Sequence, residues 1–315
     1  MKGVTFDVSI PRYLLARSLG KLTTSVLFGR LSRVRLEDVE EPSIPGPQWA
    51  KLRVLSCGIC GTDISNLTYS ASPALEPFGS FPAVIGHEIL AQVEEVGPGV
   101  DRVEVGQRVV VDPFLSCQVR GYTPDRFCLS CRQGLPCTCE MAGEDGPLTV
   151  GGIPLGPGVT IGYHRDLPGG WGEVVVAHQS QIFPVADALD DRAAVLIEPL
   201  SIGVHAVLNT PLPEGSQVLV IGSGPIALAT LWALRSSGYT GVIVSQVMRK
   251  LERDLALKLG ATEVMSPGPE ARQALVDTGA MAYQPLVGPE VYAGGGFDLV
   301  FDCVGSQGSL EQALR

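Results

Sequence analysis

A short apolar run, Val218-Leu-Val-Ile221, passes directly into Gly222-Ser-Gly224-Pro-Ile-Ala227, and a helical stretch from Ile226 to Ser236 follows. A strand that turns through two glycines into a helix constrains this chain more than any other feature. Glycine lets the backbone come close to a pyrophosphate, and the helix N-terminus offers it unpaired N–H groups. Ala227 occupies the place of a third glycine, where the pattern accepts alanine. Gly222, Gly224, Pro225, Ile226 and Ala227 are therefore the candidate residues of a nucleotide phosphate site. Beyond them, Val242-Ile-Val244 reads as a strand, Leu251 to Leu259 as a helix, and Glu263-Val-Met265 and Phe297-Asp-Leu-Val-Phe301 as further strands. Strands alternating with helices imply a parallel sheet with crossover connections.

An acidic residue at the end of the second strand of such a unit binds the ribose hydroxyls of the nucleotide. Here that strand ends Val244-Ser-Gln246-Val-Met-Arg249-Lys250, without a carboxylate. Arg249 and Lys250 are placed to face a 2′-phosphate near Gln246, so the residues favour NADP over NAD.

Up to about residue 200 the pattern is different. Short runs such as Ala50-Lys-Leu-Arg-Val-Leu55, Ala91-Gln-Val-Glu-Glu-Val96 and Arg108-Val-Val-Val111, separated by turn residues, describe a β-rich domain with many loops. Ser56-Cys-Gly-Ile-Cys-Gly-Thr-Asp63 lies in this part, and Gly86-His87-Glu88 follows after a Pro-rich loop. A thiolate, an imidazole and a carboxylate from two segments make Cys60, His87 and Glu88 an open three-ligand zinc site that leaves a position for substrate. The segment from Met141 to Pro168 reads as a long surface loop, and Gly279 to Gly296 as an insertion before the last strand.

Bulk properties narrow the partners. The 315 residues carry a formal net charge of −10 without a Lys/Arg cluster, so a nucleic-acid backbone would be repelled. The N-terminal apolar stretch around Tyr13 to Leu22 is broken by charges and lacks a cleavage site, which implies no membrane partner and a cytoplasmic location. Five of the eight cysteines fall between Cys117 and Cys139, and in a reducing compartment such clustering reads as metal binding.

Taken together, these residues resemble the zinc-dependent medium-chain dehydrogenase/reductase superfamily of alcohol, polyol and threonine dehydrogenases. The resemblance runs from about Leu36 to the end. Gly58-Ile-Cys60-Gly-Thr-Asp63 looks like its catalytic cysteine motif and Gly86-His87-Glu88 like its zinc histidine motif. Val105-Gly-Gln-Arg-Val109 is similar to its Gly-Asp-Arg-Val turn, and Leu196-Ile-Glu198-Pro-Leu-Ser-Ile-Gly-Val-His205 to the segment before the nucleotide domain in the polyol branch. Ala91 departs from a usual glycine, and Ile64-Ser-Asn from a stretch that often carries a histidine.

The resemblance implies an α/β protein with a β-rich GroES-like catalytic domain over residues 1–199 and a Rossmann-type parallel-sheet domain over 200–315. It implies that Cys60 and His87 bind a catalytic zinc, that Glu88 or Glu198 completes the set directly or through water, and that Thr62 relays a proton. Cys128-x2-Cys131-x7-Cys139 matches three ligands of a structural zinc lobe; Cys117 is assigned as the fourth, with Asp125 its rival and Cys137 the spare. The implied activity is hydride transfer between a small-molecule alcohol or polyol and NADP or NAD. The resemblance also calls for two strands beyond Arg315, so the Rossmann-type sheet is expected to lack its last strands. A homo-oligomer is expected only if those strands are supplied. The alternative is a truncated or non-catalytic relative that binds zinc and nucleotide.

Overall fold

The computed structural model describes residues 1–20, 22–23, 27, 33–71 and 78–314, and the chain divides into two compact units, Met1–Glu198 and Pro199–Arg315. Lys21, residues 72–77 of the Pro-rich loop and Arg315 lie outside the described residues.

In the first unit, β1 (Lys2–Phe6) pairs antiparallel with β2 (Arg35–Asp38), while β3 (Trp49–Cys57) enters a separate sheet. The other flank of β1 is β4 (Ala83–Val84), and β3 pairs with β5 (Ile89–Val96), which pairs in turn with β6 (Arg108–Val111). A small hairpin, β7 (Thr149–Val150) with β8 (Ile153–Pro154), precedes β9 (Val174–His178) and β10 (Ile182–Pro184). The larger sheet has the order β10-β6-β5-β3-β9, all antiparallel. Its strands are the β-branched runs of the sequence, and their apolar side chains, among them Leu52, Val93, Val109 and Val175, are buried in one core. The first unit's helices include α1 (Ile10–Leu19), α2 (Gly61–Leu67), which follows Cys60, and α3 (Leu129–Arg132), which carries Cys131.

The segment from Met141 to Pro168 is not the surface loop that its Gly and Pro content suggests. Leu155, Ile161, His164 and Leu167 within it are fully buried. Such a segment can enter the core only if its backbone is satisfied. Arg120, itself fully buried, supplies donors: Nη1 to the Gly158 carbonyl at 3.2 Å, and Nη2 to the carbonyls of Gly156 at 3.0 Å and of Glu144. His164 Nε2 lies 3.0 Å from the same Gly156 carbonyl.

Two further helices, α4 (Asp191–Ala194) and α5 (Ile197–Leu208), lead into the second unit. There β11 (Val218–Ile221), α6 (Pro225–Ser236), β12 (Ile243–Gln246), α7 (Lys250–Lys258), β13 (Glu263–Met265) and α8 (Pro269–Asp277) alternate as expected. The region from Gly279 to Gly296 holds a hairpin, β14 (Met281–Tyr283) with β15 (Val291–Ala293), before β16 (Leu299–Asp302) and α9 (Gln307–Ala313). The sheet order is β13-β12-β11-β16, all parallel, and β16 has β11 as its one sheet neighbour among the described residues. Parallel register continues the second strand two residues past its expected end, because Ile221 pairs with Gln246. No helix among the described residues is long and apolar enough to cross a membrane.

Close packing inside the second unit depends on Gly203 of α5. A Cβ there would stand 2.7 Å from backbone atoms of Ala229 and Thr230 in α6. Gly203→Ala should therefore cost about 1–3 kcal/mol through overpacking, read as a lowered midpoint in denaturant unfolding.

Candidate metal and nucleotide sites

The Cys60 segment and the Gly86-His87-Glu88 segment leave one end of a strand pair. Cys57 at the end of β3 pairs with Ile89 at the start of β5, and the Gly58 N–H donates to the Glu88 carbonyl at 2.9 Å. Antiparallel register thus brings together segments far apart in sequence. Ligand atoms of Cys60, His87 and Glu88 all lie within 4.8 Å of one another. Space for the Glu88 side chain comes from Gly58, where a Cβ would collide with Oε2 at 1.9 Å. Gly86 has φ +95, and a Cβ there would meet the Trp171 indole at 2.3 Å. Trp171 Nε1 in turn donates to the Gly58 carbonyl at 3.1 Å, so one side chain braces both halves.

Electrostatics in this group are dominated by burial. It raises the Cys60 thiol above its ordinary pKa, against the pull of the Thr62 N–H and hydroxyl, and it raises the Glu88 carboxyl, against the pull of His87. Thr62 is exposed beside the Cys60 sulfur. Nδ1 of His87 is buried without a hydrogen-bond partner among the described residues and stands 3.8 Å from Asp63 Oδ1. A soft thiol, an imidazole and a carboxyl with an unsatisfied buried nitrogen among them suit a zinc ion, which would be held by the three side chains.

Asp63 and Tyr163 escaped the reading of the sequence as working residues. Asp63 is fully buried; its Oδ2 accepts the Cys60 N–H at 2.8 Å and its Oδ1 the Tyr163 hydroxyl at 2.5 Å. The Tyr163 ring also lies 5.4 Å from that of His87, centroid to centroid. Asp63 was visible in the motif; Tyr163, 100 residues further on, carried no local signal. Glu198 is outside the 4.8 Å group, although its carboxyl senses the same surroundings: burial first, then Glu88, Asp112 and Asp63, push it up to about 7, while His87 opposes them.

A second group consists of Cys117, Cys128, Cys131 and Cys139, again within 4.8 Å, all as free thiols. Asp125 is not in it; the insertion between Cys117 and Cys128 folds so that its ends meet. The Cys128 N–H points at the Cys117 sulfur, that of Cys131 at Cys128 and that of Cys117 at Cys131, each at 3.4 Å. Donors aimed at sulfur favour thiolates, and four thiolates form a closed tetrahedral set. Cys137 is exposed.

In the second unit, Gly222 has φ +116, as the turn out of β11 requires. Gly224 caps α6 in an extended conformation, and nothing stands within 4 Å of a Cβ built on it. The glycine there opens space rather than filling it. Pro225 opens the helix, Ile226 is half-buried, and Ala227 packs in the core with Val218 and Val220. Gln246 is buried and its amide pairs with that of Gln312 in α9. Arg249 and Lys250 are exposed at the start of α7.

Residues 46–187 match the alcohol dehydrogenase GroES-like domain family. The chain is 32% identical over 292 residues to a probable (R)-acetoin-forming diacetyl reductase of Saccharomyces cerevisiae, covering 88% of this chain and 63% of that protein. It is 32% identical over 289 residues to (R,R)-butanediol dehydrogenase of the same yeast, covering 88% and 69%. A zinc-binding dehydrogenase candidate from Sinorhizobium meliloti 1021, solved bound to NADP, superposes with TM-score 0.67 at 26% identity over 98% of this chain and 71% of its own. The chain belongs to the zinc-dependent medium-chain dehydrogenase superfamily, with a GroES-like domain and a Rossmann-type domain. It spans somewhat under two thirds of the yeast reductase and slightly over two thirds of the butanediol dehydrogenase.

Tyr163→Phe would leave the buried Asp63 short of a donor. A loss of about 1–3 kcal/mol in chemical unfolding is expected. In the chelator-treated, metal-free chain, the raised Glu198 pKa means that the folded state holds its proton more tightly than the unfolded state, whose carboxyl titrates near the ordinary 4.5. That contribution is complete below pH 4.5 and disappears as pH rises through 7. The thermal midpoint of the metal-free chain should fall across this window, and Glu198→Gln should flatten the fall.

Proposed function

We propose that this chain acts as a zinc-dependent oxidoreductase that moves a hydride between an alcohol or polyol and a nicotinamide dinucleotide. The observation that carries the proposal is the Cys60, His87 and Glu88 group with its unsatisfied buried His87 nitrogen. The butanediol and diacetyl names of the yeast relatives support a small hydroxylated or carbonyl substrate, and the NADP bound to the Sinorhizobium protein supports the cofactor class.

Cys60 and His87 would hold a catalytic zinc with Glu88, and Cys117, Cys128, Cys131 and Cys139 a structural one. When bound, the metal supplies a Lewis acid for the substrate oxygen and the nicotinamide a hydride acceptor or donor. The chain's own residues do the rest. Asp63, fixed by Tyr163 and by the Cys60 N–H, holds the backbone of the cysteine and faces the His87 ring. Trp171 locks the Gly58 and Gly86 turns together. The exposed Thr62 hydroxyl, beside the Cys60 sulfur, passes on the proton that leaves the substrate hydroxyl. The polar loop of Gly222 and Gly224 with the start of α6 would seat the pyrophosphate. Glu198, whose half-buried carboxyl senses both His87 and Glu88, would complete the metal group directly or through water.

Metal analysis checks the assignment. The purified chain should contain roughly two zinc ions, one in each type of site. Cys60→Ser should retain roughly one and lose turnover of a polyol panel. Full zinc with unchanged turnover in that variant would refute the role of Cys60, and zinc and nucleotide binding without turnover in the unaltered chain would leave only a binding function.

A further inference from the structure

We infer that Glu252 is the residue through which this chain discriminates between NAD and NADP, in place of the acid missing from the end of β12. The inference rests on the dinucleotide reading above. In a strand, glycine turn and helix unit, the ribose lies between the glycine turn and the end of the second strand. The side chain at that strand end, Gln246, is 8% exposed and committed to Gln312 through amide hydrogen bonds in both directions.

Glu252, in the first turn of α7, reaches the vacated position. Its Oε2 accepts the hydroxyl of Ser223, between the two glycines, at 2.8 Å, and the N–H of Arg249, just past β12, at 3.0 Å. One carboxylate oxygen therefore joins the two backbone segments that flank a ribose. The hydrogen bond from Ser223, more than any other contact, holds the Glu252 carboxyl below its ordinary pKa. Oε1 stands 3.8 Å from Nη1 of Arg249, so the acid partly neutralises a cation that would otherwise draw a 2′-phosphate.

The consequence is a balance of opposing charges. Ribose hydroxyls meet an acceptor at Glu252, whereas a 2′-phosphate meets a like charge that offsets Arg249 and Lys250. Residues 244–250 present only the cations, because the acid stands two residues further on, in the first turn of α7.

Glu252→Gln isolates the charge, since the amide oxygen can still accept from Ser223 and from the Arg249 N–H. Dissociation constants for NADH and NADPH are measured by nucleotide fluorescence on residues 1–315, at low salt, with thermal midpoints recorded alongside. The ratio of the NADPH to the NADH constant should fall at least tenfold in the variant. Ser223→Ala, which frees the acid from the glycine turn without touching α7, should move the ratio in the same direction by at least threefold. Ratios within twofold of the unaltered chain in both variants overturn the inference while leaving the dinucleotide reading in place. Failure of the unaltered chain to bind either nucleotide overturns both.

Discussion

Everything at the candidate metal site depends on one strand pairing. When Cys57 stands opposite Ile89, the chain leaving β3 and the chain entering β5 must run side by side, and the Gly58 N–H finds the Glu88 carbonyl. A shift of one residue would turn every side chain of β5 to the other face, taking Ile89, Ala91 and Val93 out of the core that they share with Leu52 and Val109 and carrying Gln92 and Glu94 into it. The hydrophobic pattern therefore enforces the register, and the register delivers a thiol, an imidazole and a carboxyl to one place. No long-range electrostatic attraction is needed to assemble the group.

Around that pairing, the supporting contacts come from distant parts of the chain. Trp171 needs Gly86 to lack a side chain before its indole can reach the Gly58 carbonyl, and Tyr163 needs the segment from Met141 to Pro168 to be folded into the unit. That segment is buried because Arg120 donates to three of its carbonyls. Arg120 itself sits in the insertion between Cys117 and Cys128, so the cysteine lobe and the metal group share one chain of support. Among the described residues the fully buried guanidinium donates only to carbonyls, which makes the lobe sensitive to changes nearby.

Much of this was legible in local sequence. The Gly222 turn, the alternation of strands and helices after Gln217, the Cys60 and His87 motifs and the cysteine cluster are each carried by a few adjacent residues. What was not legible has a common cause. Tyr163 on Asp63, Arg120 under the loop and Glu252 on Ser223 are pairings across 100, 24 to 38 and 29 residues, and none leaves a periodic or compositional trace. The loop from Met141 to Pro168 was misread for the same reason, since its glycines and prolines describe its turns and not its burial.

By itself the sequence determined the class of protein, the order of its two domains and the kinds of ligand that its motifs could hold, because those properties follow from residue type and short spacing. Only the tertiary structure decided which atoms meet. It set Cys117 rather than Asp125 with the other three thiols, kept Glu198 outside the tight group that contains Glu88, and brought the Glu252 carboxyl to Ser223 between the two glycines. Sheet register, loop closure and side-chain reach fix those distances, and they exist only once the chain has closed on itself.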